Sequence, residues 1–202
     1  MPKITEERRV ERRQQILNAA WTCFQREGLH STTMDDIIQA SGLSAGAVYS
    51  YFTGKENIIL AAVTTSLSGI KNLLGPLFLR EIPPGPEDLV REITEKIAKF
   101  TARDGFDLRR LALLGWSEAQ RNEHLRATMK GFYLEFRNQL ATIATTWRST
   151  GVIDRKARPE DVAKALLALI LGYVVQSALL GDVEPPALGR GAVQLAVGRK
   201  KK

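Results

Sequence analysis

Hydrophobic residues recur along most of the chain at the three- and four-residue spacing of α-helices. The clearest stripe has steps of 4, 3, 4, 4, 3 and 4 residues and comprises Leu125, Met129, Phe132, Phe136, Leu140, Ile143 and Trp147. Such steps place every member on one face of a helix of about six turns. No stretch alternates with period two between turn residues, as a half-buried strand would. The pattern therefore predicts an all-α chain of about nine helices.

Glycine and proline mark the expected helix boundaries. A first helix, with Ile16, Ala20 and Phe24 on its apolar face, is expected to end at Gly28, because glycine suits a left-handed C-cap. Gly75-Pro76 is expected to interrupt the helix that begins near Lys55. The other predicted boundaries are a helix from 83–86 to Asp104-Gly105, one from Pro159 to Gly181, and a last one from Pro185-Pro186.

An apolar run of 11 residues, ALLALILGYVV, covers 165–175. It is too short to span a bilayer, which needs about 20 residues, but a helix that is apolar all round must be covered all round. We expect a second copy of the chain to cover one side, giving a homodimer. The alternative is a central helix wrapped by its own chain. The predicted interface comprises Leu166, Leu169, Ile170, Tyr173 and Val174, with Leu188 and Val193 from the last helix.

The charge of the chain does not by itself predict a nucleic-acid partner. The net charge is +7 and the isoelectric point is about 9.7. However, residues 1–57 carry seven basic and seven acidic side chains, so the excess lies entirely in 58–202. Part of it is the basic run at 198–202, which we interpret as a frayed tail.

Arginines also cluster at the start of the chain, among glutamates. We interpret Arg8, Arg9, Arg12 and Arg13 as a solvated, salt-bridged helix start rather than a DNA-binding arm. The N-terminus is charged throughout, so we expect neither a signal peptide nor an N-terminal membrane anchor. The chain has one cysteine, which fits a reducing compartment, and we expect it in the cytoplasm.

The most informative segment is 28–56, GLHSTTMDDIIQASGLSAGAVYSYFTGKE. Thr33 is placed as an N-cap for a helix over 34–41, and Gly42 follows where a positive φ ends a helix. Ser44 is placed as the N-cap of a second short helix over 45–51. The pattern of two short helices, a glycine turn and a shared apolar core predicts a helix-turn-helix unit.

The second short helix presents groups that suit a duplex. Ala45, Gly46 and Ala47 leave its first turn nearly bare, so its backbone can approach a groove about 12 Å wide. Hydroxyls, helix N-termini and a lysine are groups that bind phosphate oxygens. The alternative is an ordinary three-helix corner in which Tyr49 and Tyr51 only pack.

The run from about Arg12 to Ile58 resembles the DNA-binding domain of TetR/AcrR-type transcriptional regulators. The matching elements are ILNAAWTCFQREG, TTMDDI, ASGLSAGAVYSYF and GKENI. The resemblance implies an N-terminal arm (1–8), a helix-turn-helix domain (9–57), an effector-binding and dimerisation domain (58–197) and a basic tail (198–202). It implies phosphate contacts from Thr33, Ser44, Tyr49, Tyr51 and Lys55, with Ala45, Gly46 and Ala47 facing base edges.

The resemblance further implies a repressor that a small molecule releases from a palindromic operator in double-stranded DNA, or less often an activator whose operator affinity a small molecule changes. Aromatic residues of the middle helices favour a lipophilic or amphipathic effector. The candidate pocket residues are Phe100, Phe106, Trp116, Phe132, Tyr133, Trp147, Tyr173 and Gln176.

The remaining residue patterns exclude other classes of function. The two histidines, His30 and His124, have no metal-ligand spacing, and no glycine-rich phosphate loop follows a strand. We therefore expect no enzyme activity, no metal, no cofactor and no membrane partner. The surviving alternative is a helical adaptor whose helix-turn-helix face binds protein, which the zero net charge of 1–57 keeps open.

Overall fold

The computed structural model describes residues 5–101 and 108–197, and this part of the chain folds into nine α-helices without strands. The helices are α1 (Glu6–Ser31), α2 (Met34–Ser41), α3 (Ala45–Tyr51), α4 (Lys55–Phe78), α5 (Pro86–Thr101), α6 (Leu108–Glu118), α7 (Glu123–Thr150), α8 (Pro159–Leu179) and α9 (Pro185–Val197). The all-α prediction is confirmed. The basic tail and Phe106 lie outside the described residues.

Backbone geometry confirms the predicted break at Gly28, the predicted turn at Gly42 and the predicted N-caps of α2 and α3. Gly28 has a φ of 82°, which breaks α1 before a final short turn to Ser31. Gly42 adopts the left-handed conformation with a φ of 67°, which ends α2 and turns the chain into α3. Thr33 and Ser44 are the N-caps of α2 and α3, as expected.

The predicted interruption at Gly75-Pro76 is wrong, because α4 continues through Pro76 to Phe78. Proline removes one backbone donor and normally ends a helix. Here Pro76 lies in the last turn, and both Pro76 and Asn72, whose carbonyl loses its partner, are exposed residues, so water can replace the lost donor. Leu74 and Leu77 on either side are 2% and 1% exposed, and their burial keeps the last turn on the core.

The two halves of α4 pack in two different apolar clusters. The first joins α1, α2 and α3 to the N-terminal half of α4 and reaches Leu125 and Met129 of α7. The second joins the C-terminal half of α4 to α5, α7 and α8. Trp116 of α6 packs against both clusters. The first cluster extends to Ala62, past the predicted domain boundary at residue 57. That boundary stays a prediction.

Helix α8 lies against α7, and α9 lies mainly against α5. Four residues predicted at the dimer interface, Leu166, Ile170, Tyr173 and Val174, are between 2% and 8% exposed within one chain. They belong to the core of their own chain, which corrects the sequence-based interface. The face of α8 that remains open carries Ala165, Ala168, Leu169, Gly172, Gln176 and Leu179.

Helices α4 and α8 are long and apolar enough to cross a bilayer by length and composition alone. For α8 this differs from the sequence expectation, which considered only the 11-residue run. Both helices also contribute buried side chains to the two apolar clusters, as core helices do.

Candidate DNA interface and effector cavity

The start of α2 is fixed by a reciprocal capping box. The Thr33 hydroxyl accepts from the backbone N–H of Asp36 at 3.2 Å, and the Thr33 N–H donates to Asp36 Oδ2 at 2.8 Å. The hydroxyl also donates to Asp36 Oδ2 at 2.6 Å. These bonds, led by that of the hydroxyl, lower the pKa of the Asp36 carboxyl. Thr33 is exposed, but its hydroxyl proton is already committed to Asp36.

Helix α3 leaves most of its outer face uncovered. Ser44 Oγ accepts from the Ala47 N–H at 3.3 Å, while Val48 on the inner face is fully buried. Ala45 and Gly46 are exposed, and a Cβ built on Gly46 would meet no atom within 4 Å. Tyr49 is 47% exposed on the same helix. The bare, accessible first turn expected from the sequence is therefore present.

The side chains of Tyr51 and Lys55 make contacts within the chain that the sequence does not predict. Tyr51 is half-buried and packs against the first apolar cluster. The Lys55 ammonium donates to the carbonyl oxygen of His30 at 3.0 Å and to that of Thr32 at 2.8 Å. An ammonium has three N–H donors, so one remains for a further acceptor. No local residue pattern predicts this bond, because it joins residues 23 positions apart.

The arginines at the start of α1 form no ion pair in the described part of the chain, contrary to the salt-bridged start expected for them. Thr5 caps the helix, and Glu6 and Glu7 occupy its first turn. Arg13 instead lies over the ring of Phe52, with Cζ 5.4 Å from the ring centroid. Since Phe52 is the C-cap of α3, the Arg13 charge sits beside the end of that helix.

An apolar cavity of about 90 Å³ lies between α1, α4, α5, α6, α7 and α8. Four predicted pocket residues line it, namely Phe100, Trp116, Phe132 and Tyr133. Three others do not: Tyr173 is buried in the second cluster, Gln176 is exposed, and Trp147 donates its indole N–H to the Pro84 carbonyl at 3.0 Å.

Sequence reasoning missed the wall that α4 supplies to the cavity, which consists of Val63, Ser66, Leu67, Ile70 and Leu74. It also missed Trp21 of α1 and Arg109 of α6. The spacing of 63, 66, 67, 70 and 74 is helical and could have been read as one face. No residue pattern distinguishes a helix face that borders a cavity from one that packs against a filled core.

Few polar groups border the cavity. Trp116 Nε1 donates to the Tyr133 hydroxyl oxygen at 2.7 Å, and burial raises the pKa of Tyr133. Ser66, Thr101 and Arg109 complete the polar part of the wall. No described lining residue is a carboxylate. Within the described residues, no group of His, Cys, Asp and Glu is placed to hold a metal ion.

Comparison with known proteins gives two family matches. The N-terminal signature of tetR-type bacterial regulatory proteins matches residues 16–62. The C-terminal signature of BetI-type transcriptional repressors matches residues 86–199, which is more than half of the chain.

Individual relatives agree with these matches. UidR of Escherichia coli K12, a helix-turn-helix transcriptional regulator, is 28% identical over 180 residues, covering 89% of this chain and 85% of UidR. YfiR of Bacillus subtilis is 41% identical, but the match covers only 36% of each chain.

Solved structures share the fold over nearly the whole chain. Salmonella enterica GusR superposes with a TM-score of 0.73 at 27% identity, covering 98% of both chains. A regulator from Saccharomonospora viridis, solved in complex with choline, superposes with a TM-score of 0.74 at 21% identity, covering 94% of this chain and 97% of that one.

Proposed function

Because the chain belongs to the TetR/AcrR family of transcriptional regulators, we propose that it is a ligand-responsive repressor that binds a palindromic operator. The observation that carries the proposal is the uncovered outer face of α3. A helix with a small-residue first turn and open space around Gly46 can approach the floor of a major groove. Operator binding would take place in the cytoplasm.

In this proposal, hydroxyls and backbone donors hold the phosphates while α3 reads the groove. The phosphate contacts are assigned to Thr33, Ser44, Tyr49, Tyr51 and Lys55, and the base-edge contacts to Ala45, Gly46 and Ala47. Because the Thr33 hydroxyl donates to Asp36 in the free chain, its phosphate contact requires that hydrogen bond to be exchanged for one to the phosphate. Because Lys55 already donates twice within the chain, its phosphate contact uses the third N–H. Alanine methyl groups suit thymine methyls, and DNA shape supplies further selectivity.

We add Arg13 to this surface. Its guanidinium lies over Phe52 at the end of α3, and it forms no ion pair in the described chain. Although residues 1–57 carry no net charge overall, this contact places a positive charge beside the exposed helix α3, where a guanidinium can bind a phosphate. Arg13 therefore supports DNA binding over the protein-binding adaptor.

A palindromic operator requires two recognition helices, and hence a dimer. We propose that the open face of α8 pairs with its copy through Leu169 and its neighbours. Helix α9 flanks this face, with Leu188 half-buried and a shallow groove between Leu169 and Gly191. The apolar character of these residues supports the pairing, since exposed apolar patches mark interaction sites.

The effector is proposed to occupy the cavity behind α4. Its aromatic wall suits a lipophilic or amphipathic molecule. Choline, which the Saccharomonospora viridis regulator binds, is a quaternary ammonium that aromatic rings attract. The described wall here contains Arg109 and no carboxylate. We therefore propose a neutral lipophilic effector rather than a quaternary ammonium.

Helix α4 links the two sites mechanically. Its first residue, Lys55, is tied to the end of α1, and its cavity residues begin at Val63. Leu74 lies about 28 Å further along the axis than Lys55, at 1.5 Å per residue. An effector that tilts α4 would move the two α3 helices away from the roughly 34–36 Å spacing of successive major grooves.

The required population shift between the operator-bound and released forms sets how strongly the effector must prefer one of them. A change from 1:99 to 99:1 between released and bound forms needs about 5.5 kcal/mol of differential binding. The effector must therefore prefer the tilted state by about that amount.

Selection of duplex fragments from the source genome tests the proposal. We expect enrichment of a palindrome by the wild-type protein, with binding that weakens as salt rises. Enrichment of no sequence and no salt-dependent binding to any duplex would favour the adaptor.

A further inference from the structure

Trp21 contacts both the apolar cluster that supports the helix-turn-helix unit and the effector cavity. It lies on α1, is 8% exposed, and is a member of the apolar cluster that supports α2 and α3. It also lines the cavity together with Trp116, Met129 and Tyr133. Among the described lining residues, Trp21 is the only one from α1. A molecule in the cavity can therefore touch the helix on which the DNA-binding unit is built.

The indole N–H groups of the three tryptophans differ in their partners. Trp116 donates to Tyr133, and Trp147 donates to Pro84. The Trp21 N–H has no acceptor in the described part of the chain. Buried tryptophans normally satisfy this donor.

No fully enclosed side-chain nitrogen or oxygen of the described chain lacks a hydrogen-bond partner. The Trp21 N–H must therefore keep an opening to the cavity or to water. With its ring on the cavity wall, the donor can be satisfied by a ligand.

We propose that Trp21 is an effector-contacting residue, and that its indole N–H binds an acceptor oxygen of a neutral lipophilic effector. This inference rests on the proposed effector cavity. The acceptor is a carbonyl, ether or hydroxyl oxygen, and the rest of the effector fills the apolar volume beside Trp116. Trp21 thus adds one directional contact to a wall that is otherwise almost wholly apolar.

The contact gives the effector a direct path to the DNA-binding unit. On α1, Gln15 Nε2 donates to the Ser41 carbonyl at the end of α2, at 2.7 Å. The end of α1 is held by Lys55 through Thr32. A shift of α1 at Trp21 would therefore be transmitted to α2 through the Gln15–Ser41 hydrogen bond and to α4 through the Thr32–Lys55 hydrogen bond. The effector also contacts α4 directly.

Two probes of nearly equal shape separate the hydrogen bond from simple filling of the cavity. Acetophenone carries a carbonyl acceptor, and α-methylstyrene replaces that carbonyl by a methylene group. Each is titrated into the ¹⁵N-labelled full-length protein without DNA, and the three indole N–H signals are followed by NMR. The variants Trp21→Phe, Trp116→Phe and Trp147→Phe assign the signals, since each removes one.

We expect acetophenone to move the Trp21 signal downfield, α-methylstyrene to move it less, and the Trp147 signal to stay in place as an internal control. We also expect Trp21→Phe to weaken acetophenone binding about threefold to tenfold, the value of one hydrogen bond, with little change for α-methylstyrene. If Trp21→Phe does not fold, the comparison of the two probes on the wild-type protein still decides.

Equal shifts of the Trp21 signal by both probes would overturn the hydrogen bond. A shift confined to Trp116, or no shift of any indole at saturating probe, would overturn the contact. The measurement contains no DNA, so any of these results leaves operator binding untouched. If the selected duplex does not bind, the proposed regulatory function is wrong, but the NMR result on Trp21 and the probes still holds.

Discussion

Lys55 Nζ lies 2.8 Å from the carbonyl oxygen of Thr32 and donates a hydrogen bond to it. The first residue of α4 is thereby joined to the residue that follows α1. The bond lies between the proposed DNA surface and the helix that lines the cavity. A residue that the sequence suggested only as a phosphate ligand therefore also holds the DNA-binding unit together.

Lys55→Met keeps the aliphatic stem and removes the ammonium. We expect the free energy of unfolding to fall by about 1–2 kcal/mol, because two carbonyl groups lose a charged donor. We also expect the slope of log K against log salt for DNA binding to flatten by about 0.9, the value of one phosphate contact. Denaturant titration and fluorescence anisotropy measure the two quantities.

Lys71→Met is the matched control, because Lys71 lies on the same helix and forms an exposed ion pair with Glu135. It should change stability by no more than about 1 kcal/mol and leave the salt slope unchanged. A salt slope unaffected by Lys55→Met would confine Lys55 to its role within the chain.

Gly46→Ala separates stability from DNA binding. A Cβ at this position meets no atom of the chain, and alanine favours a helix over glycine by about 0.5–1 kcal/mol. We therefore expect a more stable protein that binds the operator more weakly, because the added methyl group faces the groove. Gly131→Ala, on the exposed face of α7 and also free of neighbours, should stabilise without affecting DNA. Equal operator affinity for both variants would place α3 away from the groove.

Gly69→Ala tests the boundary of the cavity. A Cβ on Gly69 would lie 2.6 Å from Cζ of Phe100, so the ring must move from its place on the cavity wall. We expect a loss of stability of about 1–3 kcal/mol and weaker binding of α-methylstyrene, measured by calorimetry. At Gly115 the nearest atom is Val63 Cγ2 at 3.6 Å, an ordinary contact, so Gly115→Ala should cost less stability. Unaltered probe binding in Gly69→Ala would show that the probe does not occupy this cavity.

The dimer proposal is tested by charges on opposite faces of α8. Leu169→Glu introduces a charge on the open face, and we expect a folded monomer by light scattering and circular dichroism. Val174→Glu introduces a charge into the subunit's own core, where Val174 is 8% exposed, and we expect unfolding instead. A wild-type monomer at micromolar concentration would contradict the proposed pairing.

The sequence predicted the local structure of the DNA-binding unit well, because caps and left-handed glycines are encoded by neighbouring residues. Thr33, Gly42 and Ser44 are confirmed in their structural roles. The prediction that Pro76 interrupts α4 is wrong, because the burial of Leu77 outweighs the lost backbone hydrogen bond.

The sequence did not predict relationships that depend on how the helices pack. The inner and outer faces of α8 could not be told apart, because Leu166 and Leu169 are equally apolar and only packing against α7 distinguishes them. The same limit applies to the bond of Lys55 and to the place of Trp21 on the cavity wall.

The most direct test of the central claim is the affinity of wild type and Tyr49→Phe for the selected duplex, measured against salt. If α3 lies in the groove with the Tyr49 hydroxyl on a phosphate, the variant should bind about threefold to tenfold more weakly, the value of one hydrogen bond. The loss should be similar on specific and unrelated duplexes, because a phosphate contact does not read sequence. Equal affinities for the two proteins, or binding that does not respond to salt, would contradict the account.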